Sequence, residues 1–211
     1  MRRLHLLCEI SDAMKQEIAR IKEKALEEGV PIIKDEGLAF LLNVIRQRNC
    51  RDILELGTAV GYSAIQMAKT DEEIRIDTIE KNEEMYLQAV ENIRNEKLDD
   101  RIFVHFTPIE EYRTDRMYDL IFVDAAKAQY GKYLEQFLPN LKEDGIMFFD
   151  NMVFHGLIYE ADTITSRSLR NLVKKIIKFR EKVLNDERFD IIMFDSIGDG
   201  ILILTRRNSE A

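Results

Sequence analysis

The segment LELGTAVGYS at positions 54–63 predicts a strand, a sharp turn and the start of a helix. Gly57 and Gly61 have no Cβ atom, so the backbone can turn sharply and a ligand can approach it closely. Ser63 falls where the helix begins, beside N–H groups that have no partner within a helix. Glu80 ends the next predicted strand, nineteen residues after Gly61. An α/β nucleotide-binding unit places there the acid that binds ribose hydroxyls.

The spacing of the two glycines narrows the class of ligand. The turn reads Gly-x-x-x-Gly from 57 to 61 and lacks the third glycine of the Gly-x-Gly-x-x-Gly pattern, which lets a backbone approach a pyrophosphate. Such a loop suits a nucleoside ligand without a pyrophosphate, of which S-adenosylmethionine is the common one. The turn therefore predicts a methyltransferase. Two alternatives remain: a turn that is only structural, and a nucleotide- or NAD-binding module that transfers no methyl group.

Hydrophobic spacing along the chain predicts one doubly wound α/β domain covering residues 1–211, with a helical preface at 1–45. One preface helix runs from 11 to 28 and ends at Gly29, and another begins with Asp35 as its N-cap. Strands are predicted near 52–57, 75–80, 101–106, 118–124, 144–150, 189–196 and 200–206, and further helices near 62–69, 82–95, 130–141 and 164–185. The turn Ile197-Gly198-Asp199-Gly200 is short enough to make the last two strands antiparallel.

Composition and charge limit the expected partners and compartment. The chain carries 31 basic and 39 acidic side chains, a net charge of −8, so no overall positive field draws it to nucleic acid or anionic membranes. Cys8 and Cys50 lack the spacing of metal or redox motifs, which indicates reduced thiols in a cytoplasmic protein. No uninterrupted apolar stretch approaches the roughly 20 residues of a membrane span, and no membrane association is expected.

The fourth and fifth predicted strands both end in oxygen-bearing side chains. Asp124 follows the fourth strand, with Lys127 three residues later, and Asp150 and Asn151 follow the fifth. Ligands bind beyond the carboxyl ends of the strands in an open parallel sheet, so we expect these residues to meet in space. Two carboxylates and an amide oxygen, without a thiolate, suit Mg²⁺. The alternative is that the aspartates only cap helices or bind loop amides.

Together these motifs resemble those of the cation-dependent O-methyltransferases, the family that includes catechol and caffeoyl-CoA O-methyltransferases. The motifs are Glu-Leu-Gly-x-x-x-Gly-Tyr-Ser at 55–63, the acid at 80, Asp-x-x-Lys-x-x-Tyr at 124–130, Asp-Asn at 150–151 and Gly-Asp-Gly at 198–200. The chain most resembles the bacterial branch that methylates 5-hydroxyuridine at the tRNA wobble position. The resemblance implies a homodimer with a Rossmann-like class I methyltransferase fold. That fold has a seven-stranded, mostly parallel sheet with a final antiparallel strand and helices on both faces.

The resemblance also implies roles for single residues. Asp124, Asp150 and Asn151 correspond to Mg²⁺ ligands, and Lys127 corresponds to the general base, with Asp124 beside the reacting groups. The positions assigned to the S-adenosylmethionine site are Ile33, Glu55, Gly57, Gly61, Ser63, Glu80, Ile109 and Asp124.

Within that cofactor set, Glu55 and Gly57 would line the methionine end, Ser63 would hold the methionine carboxylate and Glu80 the ribose. Ile33 and Ile109 fall where backbone groups of the family contact methionine and adenine respectively. The chain departs from the family pattern after its third strand, where residues 107–109 read Thr-Pro-Ile in place of a Gly-x-Ala-like turn. Two residues near the motifs, Tyr130 and His155, have no predicted role.

Methyl transfer from a sulfonium to oxygen is an in-line displacement, for which a protein mainly positions the reactants and supplies an oxyanion. A cation at Asp124, Asp150 and Asn151 would bind two adjacent acceptor oxygens, and Lys127 could accept the hydroxyl proton. A 5-hydroxyuracil ring offers such a pair of oxygens, as does catechol. The expected reaction therefore converts tRNA 5-hydroxyuridine to 5-methoxyuridine, and the alternative acceptor is a small catechol-like or CoA-linked phenol.

Local charge is the main indication of the acceptor. The segment 163–180 contains no acid and six basic residues, which are Arg167, Arg170, Lys174, Lys175, Lys178 and Arg180. Arg170, Lys174 and Lys178 recur every four residues and share one side of a helix. With Arg167 they predict a surface for tRNA phosphates. The alternative is a solvated helix face, and a CoA thioester also carries phosphates.

Overall fold

The computed structural model describes residues 18–207, and its centre is one seven-stranded β-sheet. The strands are β1 (Asp52–Leu56), β2 (Arg75–Glu80), β3 (Ile102–Phe106), β4 (Tyr118–Val123), β5 (Leu141–Phe149), β6 (Phe189–Phe194) and β7 (Ile201–Arg206). Their order across the sheet is β3-β2-β1-β4-β5-β7-β6. The first five strands are parallel, and β7 is antiparallel to both of its neighbours. The predicted sheet is confirmed.

Helices cover both faces of this sheet. Within the described residues they are α1 (18–27), α2 (Asp35–Arg48), α3 (Tyr62–Ala68), α4 (Glu83–Asn95), α5 (Tyr130–Phe137) and α6 (Arg167–Leu184). α1 to α4 pack on one face, and α5 and α6 pack on the other. The predicted start of the first helix at residue 11, and Cys8, lie outside the described residues. None of the helices described here is both long and apolar enough to cross a membrane.

Side-chain alternation along the strands divides the core into two parts. Ile53 and Phe148 face the layer of α1 to α4, whereas their neighbours Leu54 and Phe149 face α5 and α6. Successive side chains of a strand point to opposite faces of a sheet. Because central strands are buried on both sides, β4 and the second half of β5 are almost continuously apolar. The ends of these rigid strands carry the candidate site.

The start of α2 differs from its prediction. Lys34, not Asp35, occupies the N-cap position, and its side chain makes no capping hydrogen bond. Asp35 is the first residue of the helix, and its carboxylate accepts hydrogen bonds from Lys22 of α1 at 2.5 and 2.7 Å. The Asp35 carboxylate thus pairs with a lysine of another helix and does not cap the N-terminus of α2.

Three other boundaries also differ from the predictions. α5 ends at Phe137 and continues as a 3₁₀ turn, Leu138–Asn140, because Pro139 has no N–H and its ring obstructs an α-helix. β5 consequently begins at Leu141 rather than 144. β6 ends at Phe194 rather than 196, so six residues, 195–200, connect it to β7.

Candidate active site

Both glycines of the turn after β1 have a left-handed backbone, and at Gly57 there is also no room for a side chain. Gly57 has a φ angle of 102°, and a Cβ atom there would lie 2.3 Å from the main-chain oxygen of Asp124. Gly61 has a φ angle of 81° at the N-cap of α3, and a Cβ atom there would lie 3.4 Å from Ala89. Residues other than glycine rarely adopt such angles. The predicted glycine turn is therefore confirmed, and it brings the end of β1 against the end of β4.

A cavity of about 450 Å³ opens beside this turn, within the size range of small-molecule and cofactor sites. Six of the eight predicted cofactor residues line it, namely Ile33, Gly57, Ser63, Glu80, Ile109 and Asp124. Lys127 lines it as well. Sequence reasoning missed other wall residues, including Tyr62, Met85 and Tyr133. Apolar residues on helix faces look like core residues in a sequence, so no signal separated them from the core.

Glu80 is fixed at the cavity wall by main-chain donors. One carboxylate oxygen accepts a hydrogen bond from the N–H of Ala59 at 2.9 Å. The other accepts from Lys81 at 2.9 Å and from Asn82 at 2.8 Å, at the start of α4. The acid that ends β2 is thus held between the glycine turn and the next helix, at the position predicted for a ribose-binding carboxylate.

Glu55 does not lie where the sequence predicted. Its side chain is fully buried and does not line the cavity. It accepts hydrogen bonds from the hydroxyls of Ser63 and Thr78, and burial raises its pKa to about 8. Glu55 therefore supports Ser63 from behind the wall. Gly61, which was also predicted to bind the cofactor, does not line the cavity. It occupies the N-cap of α3 with a left-handed backbone.

The neighbouring ends of β4 and β5 bring the predicted metal ligands together. The N–H of Asp124 donates to the main-chain oxygen of Leu56, and the N–H of Asp150 donates to that of Val123. Asp150 is 2% exposed, and its Oδ1 has no hydrogen-bond partner in residues 18–207. Burial, together with the charge of Asp124, raises the pKa of Asp150 to about 7. Burial also raises the pKa of Asp124, against the opposing charge of Lys127.

These side chains fit a divalent cation of the Mg²⁺ type. A buried carboxylate oxygen without a partner is costly, and a cation would compensate both it and the adjacent carboxylate. In the described part of the chain, no three Asp, Glu, His or Cys side chains are grouped closely enough to hold a metal by themselves. The amide oxygen of Asn151 would therefore have to complete the set with Asp124 and Asp150. Carboxylate and amide oxygens, with waters or substrate oxygens, are ligands that Mg²⁺ accepts.

Lys127 lies on the 3₁₀ turn Lys127–Gln129 that precedes α5. Its Nζ is 3.7 Å from Oδ1 of Asp124, and its side chain is 20% exposed. α6 packs against this turn. The lysine is thus both paired with Asp124 and present at the cavity wall, where an acceptor hydroxyl could reach it.

Comparison with known proteins identifies the family. A family model described as O-methyltransferase matches residues 8–208. The chain belongs to the O-methyltransferase family. This O-methyltransferase is 31% identical to the caffeoyl-CoA O-methyltransferase of Populus kitakamiensis over 197 residues, which cover 89% of this chain and 83% of the relative.

Solved structures agree with this assignment. A Staphylococcus aureus protein named provisionally as a caffeoyl-CoA O-methyltransferase superposes with a TM-score of 0.87 at 30% identity, over 98% of this chain and all of that one. An O-methyltransferase of Bacillus cereus in complex with SAH has the same fold, with a TM-score of 0.77 at 24% identity over 91% of each chain. The predicted fold and enzyme class, an S-adenosylmethionine-dependent O-methyltransferase, are confirmed, which removes the alternative of a nucleotide-binding module without methyl transfer.

The loop after β5 of the O-methyltransferase has an unusual backbone. Asn151, Phe154 and His155 have φ angles of 58°, 47° and 56°. This left-handed conformation costs about 1–2 kcal/mol for most residues, and after glycine it is asparagine and aspartate that adopt it most readily. The hydroxyl of Tyr130 donates to the main-chain oxygen of Asp150 at 3.0 Å, which makes this buried tyrosine a structural support. The imidazole of His155 is 64% exposed at the surface of the loop.

Asp199 anchors the same loop, and sequence reasoning gave this residue no role. Its main-chain oxygen accepts from the N–H of Val153 at 2.8 Å, and its carboxylate accepts from the N–H of His155 at 2.7 Å. The available signal was the motif Gly-Asp-Gly at 198–200, since two flanking glycines indicate a tight loop that presents one acid.

The basic segment of the O-methyltransferase forms part of α6, but two of its members serve the fold. Arg170 donates twice to the main-chain oxygen of Ile164. Arg180 forms two hydrogen bonds with Asp195 at 2.9 Å and a third with the main-chain oxygen of Met152. The exposed basic residues of the segment, which make no ion pair within 18–207, are Arg167, Lys174, Lys175 and Lys178.

Proposed function

We propose that this enzyme transfers a methyl group from S-adenosylmethionine to a hydroxyl oxygen that has a second oxygen beside it, with Mg²⁺ held by Asp124, Asp150 and Asn151. The observation that carries the proposal is the buried Oδ1 of Asp150, which has no partner among the described residues. A cation would satisfy this oxygen and favour the charged form of both carboxylates.

The chain's own groups define how the cofactor would lie in the cavity. S-adenosylmethionine, when bound, supplies a methyl group on a sulfonium. Glu80, held rigidly by three main-chain N–H groups, would accept the ribose hydroxyls. Ser63 and the backbone beside Gly57 would receive the methionine part, and Glu55 would keep the Ser63 hydroxyl in place. The B. cereus structural relative in complex with SAH supports this choice of ligand.

Proton removal from the acceptor would fall to Lys127. Lys127 lines the cavity, and its Nζ is 3.7 Å from Asp124. In the neutral amine form, Nζ would take the hydroxyl proton and become an ammonium. A bound divalent cation supplies positive charge that favours the deprotonated acceptor oxygen. The remaining contribution of the protein is alignment, because an in-line transfer depends on the reacting atoms being held at short range.

We propose 5-hydroxyuridine at the tRNA wobble position as the acceptor, which would become 5-methoxyuridine. The 5-hydroxyl and the neighbouring C4 carbonyl are the adjacent oxygens that the site requires. Support comes from α6, where Arg167, Lys174 and Lys178 are exposed and carry no ion pair within the described chain. α6 packs against the turn that bears Lys127 and against the turn 157–159 that follows β5, so these cations lie on an element that adjoins the site. Basic side chains without an acidic partner, spaced along one helix, could bind successive phosphates of a nucleic acid backbone.

A CoA-linked phenol is the second candidate acceptor. It is favoured by the Populus relative, a caffeoyl-CoA O-methyltransferase at 31% identity. Its phenolic ring would offer two adjacent oxygens, and the phosphates of CoA could use the same cations of α6.

A direct assay separates the two acceptors. The enzyme would be given S-adenosylmethionine and Mg²⁺ with tRNA that contains 5-hydroxyuridine, or with caffeoyl-CoA, and products would be identified by mass spectrometry. We expect 5-methoxyuridine in the tRNA, dependent on Mg²⁺. If caffeoyl-CoA is methylated and the tRNA is not, the CoA-linked phenol replaces 5-hydroxyuridine as the proposed acceptor. Undiminished activity in excess chelator would contradict the cation site for both acceptors.

A further inference from the structure

The connection between β6 and β7 delivers Asp199 to a fixed place beside the predicted metal ligands. A Cβ atom on Gly198 would lie 3.1 Å from the main-chain nitrogen of Gly37 in α2. A Cβ atom on Gly200 would lie 2.6 Å from the main-chain nitrogen of Val153. The backbone on each side of Asp199 is thus pressed against α2 or the loop after β5, and the aspartate itself is 3% exposed. Packing this tight allows the carboxylate little freedom.

Both carboxylate oxygens of Asp199 are already occupied by donors. Oδ1 accepts from the N–H of His155 at 2.7 Å and from Nζ of Lys34 at 3.2 Å. Oδ2 accepts from the side-chain Nδ2 of Asn151 at 3.2 Å. Asp150 is equally buried, but its Oδ1 has no partner among the described residues. The two buried aspartates therefore differ: one carboxylate oxygen of Asp150 has no partner in the described chain, whereas both oxygens of Asp199 accept hydrogen bonds.

The contact from Asn151 to Asp199 decides which way the amide of Asn151 points. A side-chain amide has one donor end and one acceptor end, and a carboxylate can only accept. Asp199 must therefore bind the Nδ2 end of Asn151. The Oδ1 end is left available, since it accepts no hydrogen bond from residues 18–207.

We propose that Asp199 is a positioning residue for the cation site: it holds the amide of Asn151 so that Oδ1 is presented to the cation, and it does not bind the cation itself. The proposal rests on the cation site proposed above. Through Lys34 and His155 the same carboxylate ties the start of α2 to the loop after β5, so the amide is held by both sides of the site. Outer partners that orient metal ligands commonly change metal affinity by about 10–100-fold when they are removed.

The test measures binding of Mn²⁺ alone, which accepts the same oxygen ligands as Mg²⁺, by titration calorimetry on the full chain without cofactor. We expect Asp199→Ala to weaken Mn²⁺ binding about 10-fold or more. Glu160→Ala is the control: it removes an exposed acid from the loop after β5 that contacts neither Asp199 nor Asn151, and Mn²⁺ affinity should not change.

A double-mutant cycle separates positioning from a general structural effect. In an Asn151→Ala background, Asp199→Ala should weaken Mn²⁺ binding no further, because the group that it positions is gone. An equal additional loss in that background would overturn the proposal.

Two simpler outcomes distinguish failure of the positioning role of Asp199 from failure of the proposed cation site. If the unmodified protein binds Mn²⁺ and folded Asp199→Ala binds it with the same affinity, the positioning role of Asp199 is overturned but the cation site is not. No Mn²⁺ binding by the unmodified protein would overturn the cation site itself, and the positioning role with it. Cofactor affinity serves as the folding control, because neither Asp199 nor Asn151 lines the cofactor cavity.

Discussion

The main-chain oxygen of Asp124 lies 2.3 Å from the position that a Cβ atom of Gly57 would occupy. The absence of a side chain at 57 lets the ends of β1 and β4 approach this closely, at the point where the cofactor cavity and the candidate cation site meet. A side chain at 57 could be accommodated only if the main chain moved, because the obstructing atom belongs to the backbone.

Gly57→Ala is therefore expected to destabilise the fold and to weaken cofactor binding. The left-handed φ angle and the clash together should lower the free energy of unfolding by about 2–4 kcal/mol, as measured by chemical denaturation. Gly29→Ala is the control, because Gly29 also has a positive φ angle, 67°, but nothing lies within 4 Å of its Cβ position. Equal losses for the two variants would show that only backbone conformation matters at 57.

Glu80→Ala should weaken S-adenosylmethionine binding by about 1–3 kcal/mol, the range for losing a charged hydrogen-bond partner. Calorimetry on the purified variant gives this value directly. Glu83→Ala provides the comparison, since Glu83 is an exposed acid in the first turn of α4 that does not line the cavity. Unchanged affinity in folded Glu80→Ala would remove Glu80 from the cofactor site.

Activity should disappear in EDTA and return on addition of Mg²⁺. Asp150→Ala should abolish turnover but leave cofactor binding largely intact, because Asp150 does not line the cofactor cavity. Asp144→Ala is the control, because Asp144 is exposed near the opposite end of β5. This variant should behave like the unmodified enzyme. If Asp150→Ala remained active, the aspartates at the strand ends would be structural caps.

Neutralising Arg167, Lys174 and Lys178 together should raise the KM for tRNA and change methylation of a small free acceptor little. The log–log slope of tRNA affinity against salt should also fall by about one unit per phosphate contact removed. Arg170, although it belongs to the predicted basic surface, is excluded from the variant because it holds the main chain of Ile164. Exposed cations on the opposite face provide a charge-matched control, namely Arg46, Arg94 and Lys97. An unchanged KM for tRNA would favour the small phenolic acceptor.

Glu55 should make folding stability depend on pH. Its pKa is about 8 in the folded protein and 4.5 in an ordinary environment, so the folded chain binds this proton more tightly. The stabilisation is complete below the unfolded pKa and is lost as the pH rises through the folded pKa, by up to about 1.4 kcal/mol per pH unit. Denaturation of Glu55→Gln from about pH 5 to about pH 8 should therefore show a variant whose stability relative to the unmodified protein increases with pH.

The control for this measurement is Glu84→Gln, at an exposed position of α4. Its stability difference from the unmodified protein at each pH gives the baseline against which the Glu55→Gln difference is compared. Parallel pH curves for Glu55→Gln and the unmodified protein would contradict the assignment of this dependence to Glu55.

Local patterns were sufficient for the sheet, the glycine turn and the grouping of Asp124, Asp150 and Asn151. A strand that is buried on both sides must be apolar, and residues that follow parallel strands must meet at one edge. The strands and the glycine turn depend on residues close together in the chain, and the meeting of Asp124 with Asp150 needs only that β4 and β5 are neighbours in the sheet. The predicted start of α2 at Asp35 and the predicted end of α5 beyond Phe137 were wrong. At Asp35 the carboxylate pairs with Lys22 of another helix, and the residues around Asp35 do not reveal that contact.

Only the tertiary structure decided what depends on distant segments. It placed Glu55 behind Ser63 instead of at the cavity surface, and it paired Arg180 with Asp195, which follows β6. It also brought Asp199, forty-eight positions after Asn151, to the amide of that residue. No periodicity or spacing encodes such a contact, because whether a polar group faces a ligand, the solvent or another side chain is fixed only when separate elements pack together.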